Sequence, residues 1–324
     1  MKNKITKLFL AVLTLVGVNS TSYGQDSKEL KNNLEATNVE FLKAFAAEKE
    51  AAFNENYQEA VRIAQQRNLE IFGEKDGYSF ALVGYNKEDG TLKYYRTTNN
   101  SPTNSSLQTA NAKPLQAVGI NGAGMKVGVW DGGVGLTNHT AFVGGRYVIK
   151  DNGNSPSTIT AGGKNHAAHV AGTVAASSTG VTKGFAPESQ VYAYNWFGDV
   201  SEMAAANVQN PIYVSNHSYG LSAEDYFSSG GSASIFGQYN EDSRDYDLLA
   251  NNAENYTIVF AAGNDRDSYS LYNPNRNGKD LLSQGEDSKN TVTVAATKGT
   301  ENFTGITGNQ SVSGSNQFIV GFSN

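Results

Sequence analysis

The chain has 324 residues, a net charge of −6 and a hydrophobic share of 39%. That is the composition of a folded protein of one large or two modest domains, and it excludes a disordered polyelectrolyte. There is no cysteine, which excludes disulfides, thiolate metal sites, a cysteine nucleophile and lipidation on cysteine; no basic patch stands out, which argues against a nucleic-acid partner.

Lys2, Lys4 and Lys7 precede an apolar run over residues 8–18, and Ser22 and Gly24 stand just before Gln25. Residues 1–24 therefore read as a secretory signal peptide, and the protein is expected to be secreted or extracytoplasmic. The run is short for a bilayer span and no other stretch approaches one, so no membrane anchor is expected.

In residues 25–112, Leu30, Leu34, Phe41, Phe45, Phe53, Tyr57 and Val61 recur largely at helical spacing, which predicts one long amphipathic helix or two in sequence. Tyr78–Tyr85 and residues 91–96 follow as strands around an Asp89-Gly90 hairpin turn. Residues 99–113 are rich in Asn, Ser and Thr and read as an exposed linker, the kind of segment proteases cut.

From about Pro114 the pattern changes. Apolar strands are expected over residues 126–130, 190–195, 212–216, 257–262 and 291–296. Helices are expected from about His166 and over 245–255. Strands alternating with helices predict an α/β fold, a parallel sheet with helices on both faces.

Asp131 follows the first of these strands, and catalytic groups of open α/β sheets gather at the carboxyl ends of strands. An aspartate there can hold a histidine ring through its Nδ1 proton, although Asp-Gly is also a common turn. His166 opens a run of small residues and can serve as a general base. His169 lies one turn on, so His-x-x-His also admits a metal. The zinc-protease pattern needs an internal glutamate and a longer spacing, and a packed helix residue is the simpler reading of His169. Asn264, after an apolar strand, offers an amide to a developing oxyanion; a turn is the plain alternative. Ser218-Tyr219-Gly220 follows another strand and reads either as an edge that adds a peptide substrate as an extra strand or as a strand end and turn. The chain order Asp, His, Asn separates this set from other triad orders.

These segments resemble the subtilase family of subtilisin-like serine proteases over about Leu115 to Thr297. Val127-Gly-Val-Trp-Asp131-Gly-Gly133 is similar to the Asp box. Asn165-His166-Ala-Ala-His169-Val-Ala-Gly172-Thr173 is similar to the His box, with Ala167-Ala168 in place of Gly-Thr. Gly184-Phe-Ala-Pro187, the Ser218–Gly220 edge and Ala262-Gly-Asn264 resemble the boxes that follow. The resemblance implies a subtilisin-like three-layer fold in residues 113–324. It implies a secreted endopeptidase acting on peptide or protein substrates, made as a zymogen, with residues 25–112 as its own propeptide. It requires no catalytic cofactor and leaves room for structural calcium, for which the acid-rich stretches 241–247 and 265–267 are candidates; solvated surface charge is the plainer reading of both.

One box is missing. The family's nucleophile lies in Gly-Thr-Ser-x-Ala, but Gly299-Thr300 is followed by Glu301, and no serine from Ser268 to Ser323 has that context. The tail from Ser313 to Asn324 does not look like the family's continuation. The expectation is a domain truncated before its nucleophile, through a frameshift, a premature stop or a truncated sequence. Such a chain lacks triad catalysis and leaves apolar sheet faces uncovered. A catalytically dead module that binds peptides or a protease partner along the Ser218–Gly220 edge is the alternative.

Overall fold

The computed structural model describes residues 35–98, 110, 112–151, 159–177, 183–210, 212–276 and 281–296. The expected signal peptide, most of the expected linker and the tail after Ala296 lie outside these residues.

Helix α1 (Val39–Gln66) starts at Asn38, whose side chain accepts the Phe41 N–H. Its sequence has no glycine or proline, so it runs as one helix rather than two. An antiparallel meander follows: β1 (Phe72–Lys75), β2 (Tyr78–Tyr85) and β3 (Leu92–Thr98). Strand β1 is not foreseen by alternation, because all four of its residues are exposed or half-buried. Its turn is readable in retrospect: Asp76 and Gly77 both take positive φ, as a tight hairpin turn requires. At the second turn Asp89 Oδ1 accepts the Thr91 N–H at 2.9 Å.

The remaining described residues include β4 (Lys126–Asp131), β5 (Tyr147–Ile149), α2 (Ala161–Ala175), β6 (Gln190–Asn195), α3 (Asp199–Gln209), β7 (Val214–His217), β8 (Gly220–Leu221), α4 (Ala223–Ser228), α5 (Glu241–Asn252), β9 (Thr257–Ala261) and β10 (Thr291–Val294). Six strands make a parallel sheet in the order β10-β9-β7-β4-β6-β5. The chain builds outward from β4 to one side and then to the other. The strand order thus reverses at β4, the point where open α/β sheets place their sites.

Three expected boundaries move. Strand β7 is shifted toward the C-terminus and takes in His217, because that ring is fully buried between the rings of Trp130 and Phe260. Helix α2 starts at Ala161, well before His166, because Thr160 caps it by accepting the Gly163 N–H. Helix α5 starts at Glu241, because Asn240 and Ser243 form a capping box. The acid-rich stretch 241–247 therefore lies on a helix.

The sheet has a covered layer on each face. On one face Trp130, Tyr192, Tyr194, Ile258 and Phe260 pack toward α3 and α5 with Met203, Tyr246 and Leu249. On the other, Val129, Val191 and Ala193 meet Ala171 and Ala175 of α2. On that second face Val292 and Val294 of the edge strand β10 remain 46% and 50% exposed among the described residues. The N-terminal unit is not an appendage of this sheet domain: Leu42 and Phe45 of α1 belong to the same core as Trp130 and Phe260.

Candidate active site

The carboxyl ends of β4, β7 and β9 lie along one edge of the parallel sheet. Asp131 closes β4, Ser218 follows β7 and Asn264 follows β9. Three of the sequence-predicted segments therefore converge by topology, and α2 delivers the fourth.

Helix α2 packs against β4 close enough that a Cβ on Gly163 would collide with the Gly132 carbonyl oxygen. A glycine there lets the helix approach the aspartate loop. His166 Nδ1 then sits 2.8 Å from Asp131 Oδ1 and 2.9 Å from Oδ2. Asp131 is fully buried, and its Oδ1 also accepts the Gly132 N–H at 2.7 Å. Burial raises the Asp131 carboxyl above its ordinary value, and the charge and hydrogen bond of His166 pull against that rise. With Nδ1 committed to the carboxylate, Nε2 is the nitrogen left to exchange a proton with a reacting group.

His169 is half-buried. Desolvation, and next the neighbouring His166, lower its pKa, which favours the neutral ring. Among the described residues no group of three or more His, Cys, Asp and Glu is placed to hold a metal ion. Four acids of the two calcium candidates have partners. Asp242 pairs with Lys93 at 2.6 Å, Asp245 with Lys49 at 2.7 Å, and Asp265 with Arg96. Asp247 accepts the N–H groups of Lys289 and Asn290.

The Ser218–Gly220 edge carries an added strand, and the strand belongs to the same chain. Strand β3 pairs antiparallel with β8, Arg96 opposite Gly220 and Tyr95 opposite Leu221. Ser222 N–H continues the ladder to the Tyr94 carbonyl at 2.7 Å. At the end of this strand Thr97 Oγ1 lies 2.8 Å from His166 Nδ1 and donates to the Ser218 carbonyl at 3.1 Å. The Tyr219 side chain turns inward. Its hydroxyl donates to Asp199 Oδ2 at 2.6 Å, and its ring lies 5.1 Å from that of Tyr95. Asn264 is exposed on the loop after β9, where its amide is free of the sheet ladder.

Sequence reasoning missed Thr97, Arg96 and Asp265 as members of this site. Strand β3 runs to Thr98, two residues past the strand end expected at Arg96 and short of the polar stretch expected from residue 99.

The family model of the subtilases matches residues 122–320. The chain belongs to the subtilase family. The match runs through residue 320 and so takes in most of the tail that the sequence reading set apart from the family, which corrects that expectation; a short segment carries too little pattern to be placed by eye. Solved structures of similar fold include the protease domain of PatA, the patellamide maturation protease PatG and MycP1 from the ESX-1 type VII secretion system. PatA is 19% identical over 55% of this chain and 59% of its own, with a TM-score of 0.38. PatG is 12% identical over 61% and 64%, with a TM-score of 0.40. MycP1 is 17% identical over 60% and 57%, with a TM-score of 0.37. This subtilase thus spans less than two thirds of each of those chains. No curated protein sequence matches it.

Proposed function

We propose that this subtilase is a secreted serine endopeptidase, made as a precursor whose N-terminal unit covers its own site. The observation that carries this reading is the buried Asp131–His166 pair at the end of the central strand, beside an edge that accepts an extended strand. In the reaction, a serine hydroxyl attacks the scissile carbonyl while His166 Nε2 takes its proton. Asp131 holds the ring and stabilises the imidazolium, the Asn264 amide donates to the oxyanion, and His166 then returns the proton to the leaving amine. The bond to the leaving amine breaks, and water repeats the cycle to free the acyl group.

The serine of that cycle belongs to a Gly-Thr-Ser segment that residues 1–324 do not contain. A fluorophosphonate probe tests this. The chain of residues 1–324 is expected to stay unlabelled. The product of the gene read beyond codon 324 is expected to be labelled, and to lose labelling in His166→Ala. Labelling of the 324-residue chain itself, or none in the longer product, sinks the proposal. A second reading, a non-catalytic module that binds peptides, is favoured by the strand already seated on the Ser218–Gly220 edge; it predicts that the product read beyond codon 324 also stays unlabelled. Secretion is checked by the N-terminus of the exported form, expected at Gln25.

A further inference from the structure

We propose that Thr97 is an inhibitory residue acting on the base itself: while the N-terminal unit is seated, its hydroxyl takes a share of the His166 Nδ1 proton that Asp131 would otherwise hold alone. The inference rests on reading the Asp131–His166 pair as the base of the reaction, and it names a regulation of that pair beyond covering it.

Thr97 is buried, and it reaches the pair from the N-terminal unit. Its Oγ1 lies 2.8 Å from His166 Nδ1, the same distance as Asp131 Oδ1, with Asp131 Oδ2 at 2.9 Å. Three oxygens therefore crowd one nitrogen. Gly132 makes room for the third, since a Cβ there would stand 3.1 Å from Thr97 Cγ2. The approach is fixed from two sides. Thr97 pairs with Ser79 of β2, and the Ser79 hydroxyl accepts from Thr160 at the start of the helix that carries His166. On the other side Thr97 donates to the Ser218 carbonyl at 3.1 Å.

The hydrogens available assign the roles. Both oxygens of Asp131 face Nδ1 within 2.9 Å, as an ionised carboxylate faces an N–H; a protonated carboxyl would present a single O–H. Nδ1 thus carries the proton. Thr97 has one hydroxyl hydrogen, and the Ser218 carbonyl takes it, so Oγ1 meets Nδ1–H as an acceptor. One N–H divided among three acceptors cannot lie in line with all of them, and a hydrogen bond weakens as its angle falls. The acceptor that gains is a neutral hydroxyl. The one that loses is a charged carboxylate, whose bond is of the stronger kind. Asp131 then lends less support to the imidazolium that forms when Nε2 takes a proton. When β3 leaves, Thr97 leaves with it, and the Nδ1 proton reverts to Asp131. The N-terminal unit blocks the cleft by bulk and detunes the base through one hydroxyl.

The test reads the Nδ1 proton directly, by proton magnetic resonance of the full chain. The far-downfield resonance that vanishes in His166→Gln is assigned to His166 Nδ1–H. Thr97→Val keeps the bulk of the side chain and deletes the hydroxyl. It is expected to move that resonance further downfield, because a proton given to the carboxylate alone sits in a shorter, stronger bond. Thr97→Ser keeps the hydroxyl and is expected to leave the resonance at its wild-type position. A resonance unmoved in Thr97→Val, or moved as far by Thr97→Ser, overturns the proposal, because the contact is then packing alone. A wild-type chain with no such resonance overturns it as well. Should Thr97→Val fail to fold, Thr97→Ala carries the same expectation and the same refutations. No nucleophile takes part in this readout. A chain that never labels with fluorophosphonate leaves the sharing of the proton standing, and an unshared proton leaves the endopeptidase reading untouched.

Discussion

His217 is fully buried, and the hydrogen bonds around it fix which way each proton points. Tyr219 O–H donates to Asp199, so it accepts from His217 Nδ1–H at 2.9 Å. Nε2 then accepts from Ser215 Oγ at 2.8 Å, and Ser215 in turn accepts from the Tyr256 hydroxyl at 2.6 Å. Burial pushes the His217 pKa from its ordinary 6.5 down to about 3, so the ring stays neutral in the fold and charges only on unfolding. Its contribution to stability is whole above pH 6.5 and is lost as pH falls through about 3. Asp199 acts in the opposite sense. Burial lifts it from 3.8 to about 6, against the hydrogen bonds from Tyr219 and Tyr246, so its contribution is whole below 3.8 and fades as pH rises through about 6. His217→Gln is expected to flatten the acid side of the stability–pH curve, read as urea midpoints at steps between pH 3 and 7. An unchanged acid slope would mean that other groups govern it. Asp131 and His166 were legible in the sequence because each stands in a short contiguous box. Thr97 and Asp265 were not, because strand pairing with partners far along the chain gives them their roles.

At the level of elements, the alternation of β-branched and aromatic residues located every strand of the parallel sheet except the short edge strand β5. The ends were harder to read, since helix starts depend on single side chains. Asn240 and Ser243 begin α5 where hydrophobic periodicity is still silent. Asn240→Ala is expected to cost about 0.5–2 kcal/mol, measured as a fall in unfolding free energy; a neutral substitution would show that the first turn is held by tertiary contacts instead. The His helix is held at its start by the N-terminal unit. The Glu74 carboxylate accepts the Gly162 N–H at 2.7 Å, and Thr160 donates to Ser79 at 2.8 Å. A free N-terminal amide of a helix favours a negative partner, and here that partner comes from β1, the strand that alternation did not reveal.

For the whole molecule, the sequence divides more cleanly than the fold does. A polar stretch near residue 100 suggests two separable bodies, yet Leu42 and Phe45 share a core with Trp130, Trp196 and Phe260. Burial is a property of three-dimensional neighbours, and the helical periodicity that marks α1 does not say what it packs against. Leu42 is completely buried, so Leu42→Ala is expected to cost about 2–5 kcal/mol. Because both tryptophans, Trp130 and Trp196, stand in that core, their fluorescence and the far-ultraviolet dichroism are expected to shift together in one transition. A helical signal that melts early while the tryptophans hold would show two independent units.

That shared core also sets an order of events. The collapse that brings Asp131 to His166 draws on the same apolar residues that dock α1, and α1 carries β3 to the edge. Pairing of the acid with the base and closure of the cleft are therefore one step in time. In the precursor proposed above, opening is then a separate and later act that removes covalently attached chain, and readiness is set by a clock that starts only after folding has ended.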